Sequence, residues 1–75
     1  MKSTNTPQYR AVLDRLVAAR KANGLSQAEL ASRLGRPQSY IAKIEIGERR
    51  IDIVEFLELA RILGVSPASV LEDLG

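Results

Sequence analysis

Apolar positions in this chain recur at helical spacing, and glycine cuts the pattern into segments. Tyr9, Val12, Leu13, Leu16 and Val17 follow an i, i+3, i+4 rhythm that predicts a first helix over Pro7–Asn23, with Thr6 as its cap and Pro7 at its first position. Helix 2 is predicted over Gln27–Leu34. It opens on the capping box Ser26-Gln27-Ala28-Glu29, with Leu25 and Leu30 flanking the cap as a hydrophobic staple and Leu30, Ala31 and Leu34 facing inward. A turn of Gly35, Arg36 and Pro37 leads into helix 3 over Gln38–Ile46, whose inner face carries Ile41 and Ile44. Pro37 fixes that start but offers no capping oxygen, which leaves the first-turn amides to solvent or to a ligand. Helix 4 begins at a second box, Asp52 to Glu55, stapled by Ile51 and Phe56. It runs to Leu63 and is expected to bury Ile53, Phe56, Leu57, Ala60 and Leu63. Helix 5 begins at Ser66-Pro67, is stapled by Val65 and Val70, and completes its face with Leu71 and Leu74. Gly24, Gly35, Gly47 and Gly64 fall at the stops, where a left-handed residue ends a helix. No β-alternation of useful length and no long repeat competes with this reading. The prediction is an all-α, compact five-helix domain over residues 6–75, preceded by a flexible tail over residues 1–5.

Composition sharpens the picture mainly by exclusion. A chain of 75 residues with 45% hydrophobic content makes one domain with a packed core. It has no Cys and no His, so disulfides, Cys- or His-based metal sites and imidazole chemistry are all excluded. Without a base of suitable pKa beside a nucleophile, the expectation is a protein that is not an enzyme and needs no cofactor or metal. No apolar run approaches the ~20 residues that span a bilayer, and the opening MKSTNTPQYR lacks the apolar stretch of a signal peptide. A soluble, cytoplasmic protein with no membrane partner is expected.

Charge is unevenly placed. Net charge is only +2, yet residues 1–50 carry ten Lys/Arg against four Asp/Glu, while residues 51–75 carry one Arg against five acids. The basic part suits a polyanion and the acidic part does not. The basic part also contains helices 2 and 3, LSQAELASRLGRPQSYIAKIEIG. Two short helices about a Gly-containing turn make a helix-turn-helix, with the small Ala28 and Ala31 allowing a close crossing. Opposite Ile41 and Ile44, helix 3 presents Ser39, Ala42, Lys43 and Ile46, with Gln38 beside them in the first turn. That polar, positive face has the character needed to enter a major groove. Arg20 continues the inward face of helix 1, which puts a charge toward the core.

This stretch resembles the lambda-repressor-like (Cro/repressor, or XRE-type) helix-turn-helix family. The resemblance covers about residues 10–72 and is carried by LSQAELA, LGRPQSYIAKIE, the Gly-Glu-Arg-Arg loop and the closing LARILGVSP. It implies a lambda-repressor-like fold and a set of roles. Gln27 corresponds to a phosphate-clamping Gln whose helix-end amide adds to the attraction. Gln38 and Ser39 correspond to base-reading positions, and Gln can bond adenine N6 and N7 together. Lys43 is placed to reach a guanine or a phosphate, and Arg49 and Arg50 fall in a loop that grips the backbone. Arg20 and Glu45 correspond to a structural pair bridging helices 1 and 3, which gives the inward Arg20 a carboxylate to meet. The resemblance departs at Pro37, where members often carry Ser or Thr.

Some positions keep two readings. Tyr40, on the flank of helix 3, either packs on helix 2 or offers its hydroxyl to a phosphate. Arg36, in the turn, contacts a phosphate or is simply solvated. Ile46 is expected to shield the Gly47 loop in preference to touching a thymine methyl, and Arg10 and Arg15 to be solvated stems with charged tips.

The resulting expectation is a sequence-specific double-stranded DNA-binding transcriptional regulator that acts as a homodimer on a near-palindromic site. It would have no small-molecule effector domain. Its dimer interface is expected at Val70, Leu71 and Leu74 on the acidic helix 5, where five short helices leave apolar side chains for a two-fold partner to cover. The competing class is a protein-interaction module, such as an antitoxin or adaptor, using the same scaffold. Gln38→Ala with Lys43→Ala separates the two: the first class loses DNA binding, the second loses nothing in a DNA assay.

Overall fold

The computed structural model describes residues 6–74; the tail expected over residues 1–5, and Gly75, lie outside the described residues. Five helices follow one another as α1 (Pro7–Ala22), α2 (Gln27–Arg33), α3 (Gln38–Glu45), α4 (Ile53–Leu63) and α5 (Pro67–Glu72), with no strand among the described residues. Each starts where its local chemistry directs. The Thr6 hydroxyl accepts from the amide of Tyr9 at 3.2 Å, and Ser66 does the same for Ser69. Both predicted capping boxes close reciprocally, Ser26 with Glu29 and Asp52 with Glu55. At the far ends, Gly24, Gly35, Gly47 and Gly64 all take positive φ, between 69° and 81°. A side chain there would strain the backbone, because L residues rarely adopt that region. α1, α2 and α3 end one residue earlier than the apolar rhythm suggested.

The core forms where the five inner faces meet. Leu13, Ile41 and Val70 are its most enclosed large side chains, from α1, α3 and α5. Leu16, Leu30, Ala31, Ile44, Phe56, Leu59 and Leu63 fill the space between them. α2 packs most extensively on α3, and α1 runs behind both to touch α3, α4 and α5. Truncating a side chain such as Leu13 to Ala would cost about 2–5 kcal/mol, a large part of a small domain's stability.

α4 is rotated relative to the sequence expectation. Its core face is Phe56, Leu59, Ala60 and Leu63, whereas Ile53 is 77% exposed and Leu57 42% exposed. Ile53, Val54, Leu57 and Ile62 are as apolar as the core-facing set, so an apolar stripe exists on more than one side and periodicity alone does not choose between them. The choice falls to α1 and α5, which pack against the Phe56–Leu63 side. Val17 lies at the edge of the α1 face, half-buried.

Candidate nucleic-acid interface

α3 divides cleanly. Tyr40, Ile41 and Ile44 are buried, whereas Gln38, Ser39, Lys43 and the following Ile46 stand exposed. Ile46 is 65% exposed, next to the buried Gly47. Pro37 occupies the N-cap with extended backbone and supplies no side-chain hydrogen bond; its carbonyl accepts from the Tyr40 amide at 3.0 Å, and the Gln38 and Ser39 amides before it have no side-chain cap.

A chain of polar contacts ties this exposed end to the core. Arg20 is buried, and its Nε and Nη2 donate to Oε2 and Oε1 of Glu45 at 2.7 and 3.1 Å. Its Nη1 donates to the Leu25 carbonyl at 2.8 Å. Glu45 Oε1 also accepts from Gln27 Nε2 at 2.8 Å, and Gln27 Oε1 in turn accepts from Gln38 Nε2 at 3.2 Å. A carboxylate only accepts, so Glu45 dictates which way the Gln27 amide turns. Gln27 then has only its oxygen to offer Gln38. Gln38 is left with its own carbonyl oxygen and its second N–H, an acceptor and a donor side by side at the exposed start of α3. Arg10 Nη2 donates to the Glu45 carbonyl at 2.7 Å, so it serves the carboxyl end of α3 instead of standing in solvent. Arg15 likewise pairs with Asp73, tying α1 to the end of α5.

A second cluster gathers around Tyr40. Its ring is buried, and its hydroxyl donates to Glu55 Oε2 at 3.0 Å, which removes the free phenol expected for a phosphate. Two guanidinium carbons, those of Arg36 and Arg49, lie 4.7 Å from the ring centroid. Arg49 Nη2 also donates to Glu55 Oε2 at 3.1 Å. These contacts hold the pKa of the Glu55 carboxyl at about 2, chiefly through the Arg49 hydrogen bond and then the Asp52 amide. Burial, followed by the bond to Glu55, pushes the Tyr40 hydroxyl above its usual range. Arg50 lies 4.9 Å from the centroid of Tyr9, whose hydroxyl accepts from the Ile51 amide at 3.1 Å.

The sequence-predicted residues therefore form two groups. Gln27, Gln38, Arg20 and Glu45 are linked by hydrogen bonds, while Arg36, Tyr40 and Arg49 share one ring. Ser39 and Lys43 lie exposed on α3, and Arg50 is exposed in the loop. Sequence reasoning missed Glu55 as a partner of Tyr40 and Arg49. Its capping role accounted for the residue, and nothing local signalled that its second oxygen was free to reach across the loop. Of the residues expected to meet a second copy, Val70 is 1% exposed and belongs to the chain's own core, so it is not available to a partner. Leu74 is partly buried against that core, and Leu71 is 53% exposed.

The helix-turn-helix family HTH_3 matches residues 16–70. Among curated proteins, an uncharacterized HTH-type transcriptional regulator of Sinorhizobium fredii is 40% identical over 47 residues, 63% of this chain. The match spans 61% of that relative's length. Among solved structures, an XRE-family like protein from Pseudomonas syringae pv. tomato superposes with a TM-score of 0.82 at 49% identity, covering 89% of this chain and 82% of that one.

Proposed function

This chain belongs to the XRE-type helix-turn-helix family, and on that premise we propose that it is a sequence-specific regulator of transcription that binds double-stranded DNA by laying α3 in the major groove. The observation that carries this reading is the state of Gln38. It is exposed, held through Gln27, and left with one acceptor and one donor. That is the pair an adenine edge asks for, N6–H to the oxygen and N7 from the N–H. Ser39 and Lys43 extend the same face toward neighbouring bases. Gln27, Arg36, Arg49 and Arg50 flank it as backbone-gripping groups, with Tyr40 acting as the platform on which Arg36 and Arg49 rest. Phosphate contacts of this kind fix orientation, and the α3 side chains choose the sequence.

A near-palindromic site read by a homodimer fits the dimensions. One chain measures 30 × 27 × 20 Å between Cα atoms, and equivalent points of two copies on such a site would lie about one turn of duplex apart, ~34 Å. With roughly 6–8 phosphates held by a dimer, log K falls by about 5–7 per decade of salt. A cytoplasmic location goes with this role, and no described helix is long and apolar enough to cross a membrane.

Selection from a random duplex library tests the reading. It is expected to return a motif with two-fold symmetry, whose binding is lost in the Gln38→Ala, Lys43→Ala double variant. No enriched motif, or equal binding by the double variant, overturns it.

A further inference from the structure

The outer side of α4 is apolar where a solvent-facing helix is normally polar. Ile53 is 77%, Val54 64% and Leu57 42% exposed, and Leu71 of α5 adds a fourth large side chain at 53%. Ile53, Leu57 and Leu71 border a groove of about 310 Å³ between α1, α4 and α5, floored by Tyr9, Val12 and Phe56, with Pro67 also on its wall. Asp52 is the only charged residue lining it among the described residues, and one of its carboxylate oxygens is occupied in capping α4. Single exposed apolar residues are ordinary, but three around one groove, with Val54 exposed next to Ile53, mark a contact surface.

We propose that a second copy of this chain covers this groove, with the two α4 helices packed antiparallel about a two-fold axis near Leu57. Several observations select that occupant. The patch runs along one side of α4, where Ile53, Val54 and Leu57 stand exposed. A two-fold rotation near Leu57 sets Leu57 against its own copy and lays the two apolar faces together, as an isologous interface requires. Charge agrees with the antiparallel sense. α4 has Asp52 and Glu55 at its start and Arg61 near its end, and Arg61 has no ion-pair partner among the described residues. Ile53, Leu57 and Arg61 are spaced four apart along one stripe, so pairing about Leu57 brings Arg61 of each copy to the Asp52 end of the other. The helix dipoles oppose as well. Residues 1–5, Met-Lys-Ser-Thr-Asn, hold one apolar side chain and do not match a four-residue apolar face. The inference rests on the two-fold DNA reading for its purpose, but it moves the joint from α5 to α4, with Leu71 as the shared member.

The full chain has no cysteine, which makes a direct test simple. Leu57→Cys under mild oxidant is expected to give an interchain disulfide on a non-reducing gel, whereas Ala18→Cys, exposed on α1, is not. Sedimentation equilibrium is expected to show wild type passing from one chain to two as concentration rises. Val54→Asp with Leu57→Asp, both at exposed positions, weakens that association by at least roughly tenfold while the helical circular dichroism stays unchanged. Arg61→Glu, a rim change that leaves the apolar face intact, weakens it roughly threefold. A wild type that remains monomeric, a dimer indifferent to these substitutions, or a Leu57→Cys chain that crosslinks no faster than the Ala18→Cys chain overturns the proposal. Binding of the double Asp variant to a single half-site separates the two readings: retained half-site binding with a lost dimer supports the joint and leaves the DNA role standing, while a dimer with no DNA binding removes only the DNA role.

Discussion

Gln27 on α2 accepts a hydrogen bond from Gln38 on α3 at 3.2 Å, and the same Gln27 donates to Glu45 at 2.8 Å. The exposed Gln38 is therefore attached, through one amide, to the most buried charge pair in the described fold. Position and chemistry at the surface are set from inside.

Arg20→Ala should be strongly destabilising. Arg20 is 9% exposed and its three bonded nitrogens serve Glu45 and the Leu25 carbonyl. Its removal leaves the Glu45 carboxylate enclosed with Gln27 as its remaining side-chain partner, a loss of about 3–5 kcal/mol. Replacing both members, Arg20→Met with Glu45→Leu, should restore a good part of this, because no unpaired charge remains. Urea denaturation of the two singles and the double checks the point; a double variant as unstable as the worse single refutes it.

Gln38→Ala should change what is read more than whether the chain binds. The loss is about 1–3 kcal/mol against the cognate base and much less against duplexes changed at that one position. Gln27→Ala removes the tether but leaves Gln38 itself, so specificity at the same position should fall by a smaller factor. Competition binding with a set of single-position duplexes measures both. Equal losses across all four bases would assign Gln38 to the backbone instead.

How far the sequence foretold this arrangement depended on distance along the chain. Caps and stops were legible because their partners lie three residues apart: Ser26 with Glu29, Asp52 with Glu55, and glycines wherever a helix turns left-handed. The helix-turn-helix was legible because both its helices carry one clear apolar face. α4 was not, since Ile53, Val54 and Leu57 are as apolar as Leu59 and Leu63, and only contact with α1 and α5 decides which side is inside. For the same reason Leu59 escaped notice and Val70 was assigned to a partner when it fills the chain's own core. The Tyr40–Glu55 bond spans fifteen residues and a loop, and no local pattern announces it.

Arg49 and Arg50 are adjacent in sequence but should differ in their salt signature. Arg49 is paired with Glu55, while Arg50 rests on Tyr9 with no acidic partner among the described residues. Lys43 is likewise without an ion pair among those residues. A cation that neutralises one phosphate contributes about 0.9 to the slope of log K against log salt. Arg50→Ala and Lys43→Ala should each lower the slope of one half-site by about that amount if they meet phosphate, whereas a Lys43 on a guanine lowers specificity at one position as well. Arg49→Ala should lower the slope less, because its guanidinium is already paired with Glu55 and so neutralises less of the phosphate charge. Titrations at four or five salt concentrations decide the order; a larger slope change for Arg49 than for Arg50 contradicts it.

The acid side of the stability curve should carry the mark of Glu55. Its carboxyl pKa lies at about 2 in the folded chain against an ordinary 4.5, held down first by Arg49 and then by the Asp52 amide. A carboxylate depressed on folding stabilises the native state wherever the unfolded chain would be ionised, so its full contribution is present above pH 4.5. Below that the unfolded chain takes up the proton and the native one does not, and the contribution shrinks until both are protonated near pH 2. Glu55→Gln has no proton to gain. It should be less stable than wild type at pH 7, lose stability more gently between pH 4.5 and 2, and converge on wild type at the acid end. The remaining carboxylates titrate in both proteins and cancel from the difference. Midpoints of urea unfolding taken across that range give the comparison directly, and curves that run parallel from pH 7 to 2 would show that the Arg49–Glu55–Tyr40 contact contributes nothing to folding.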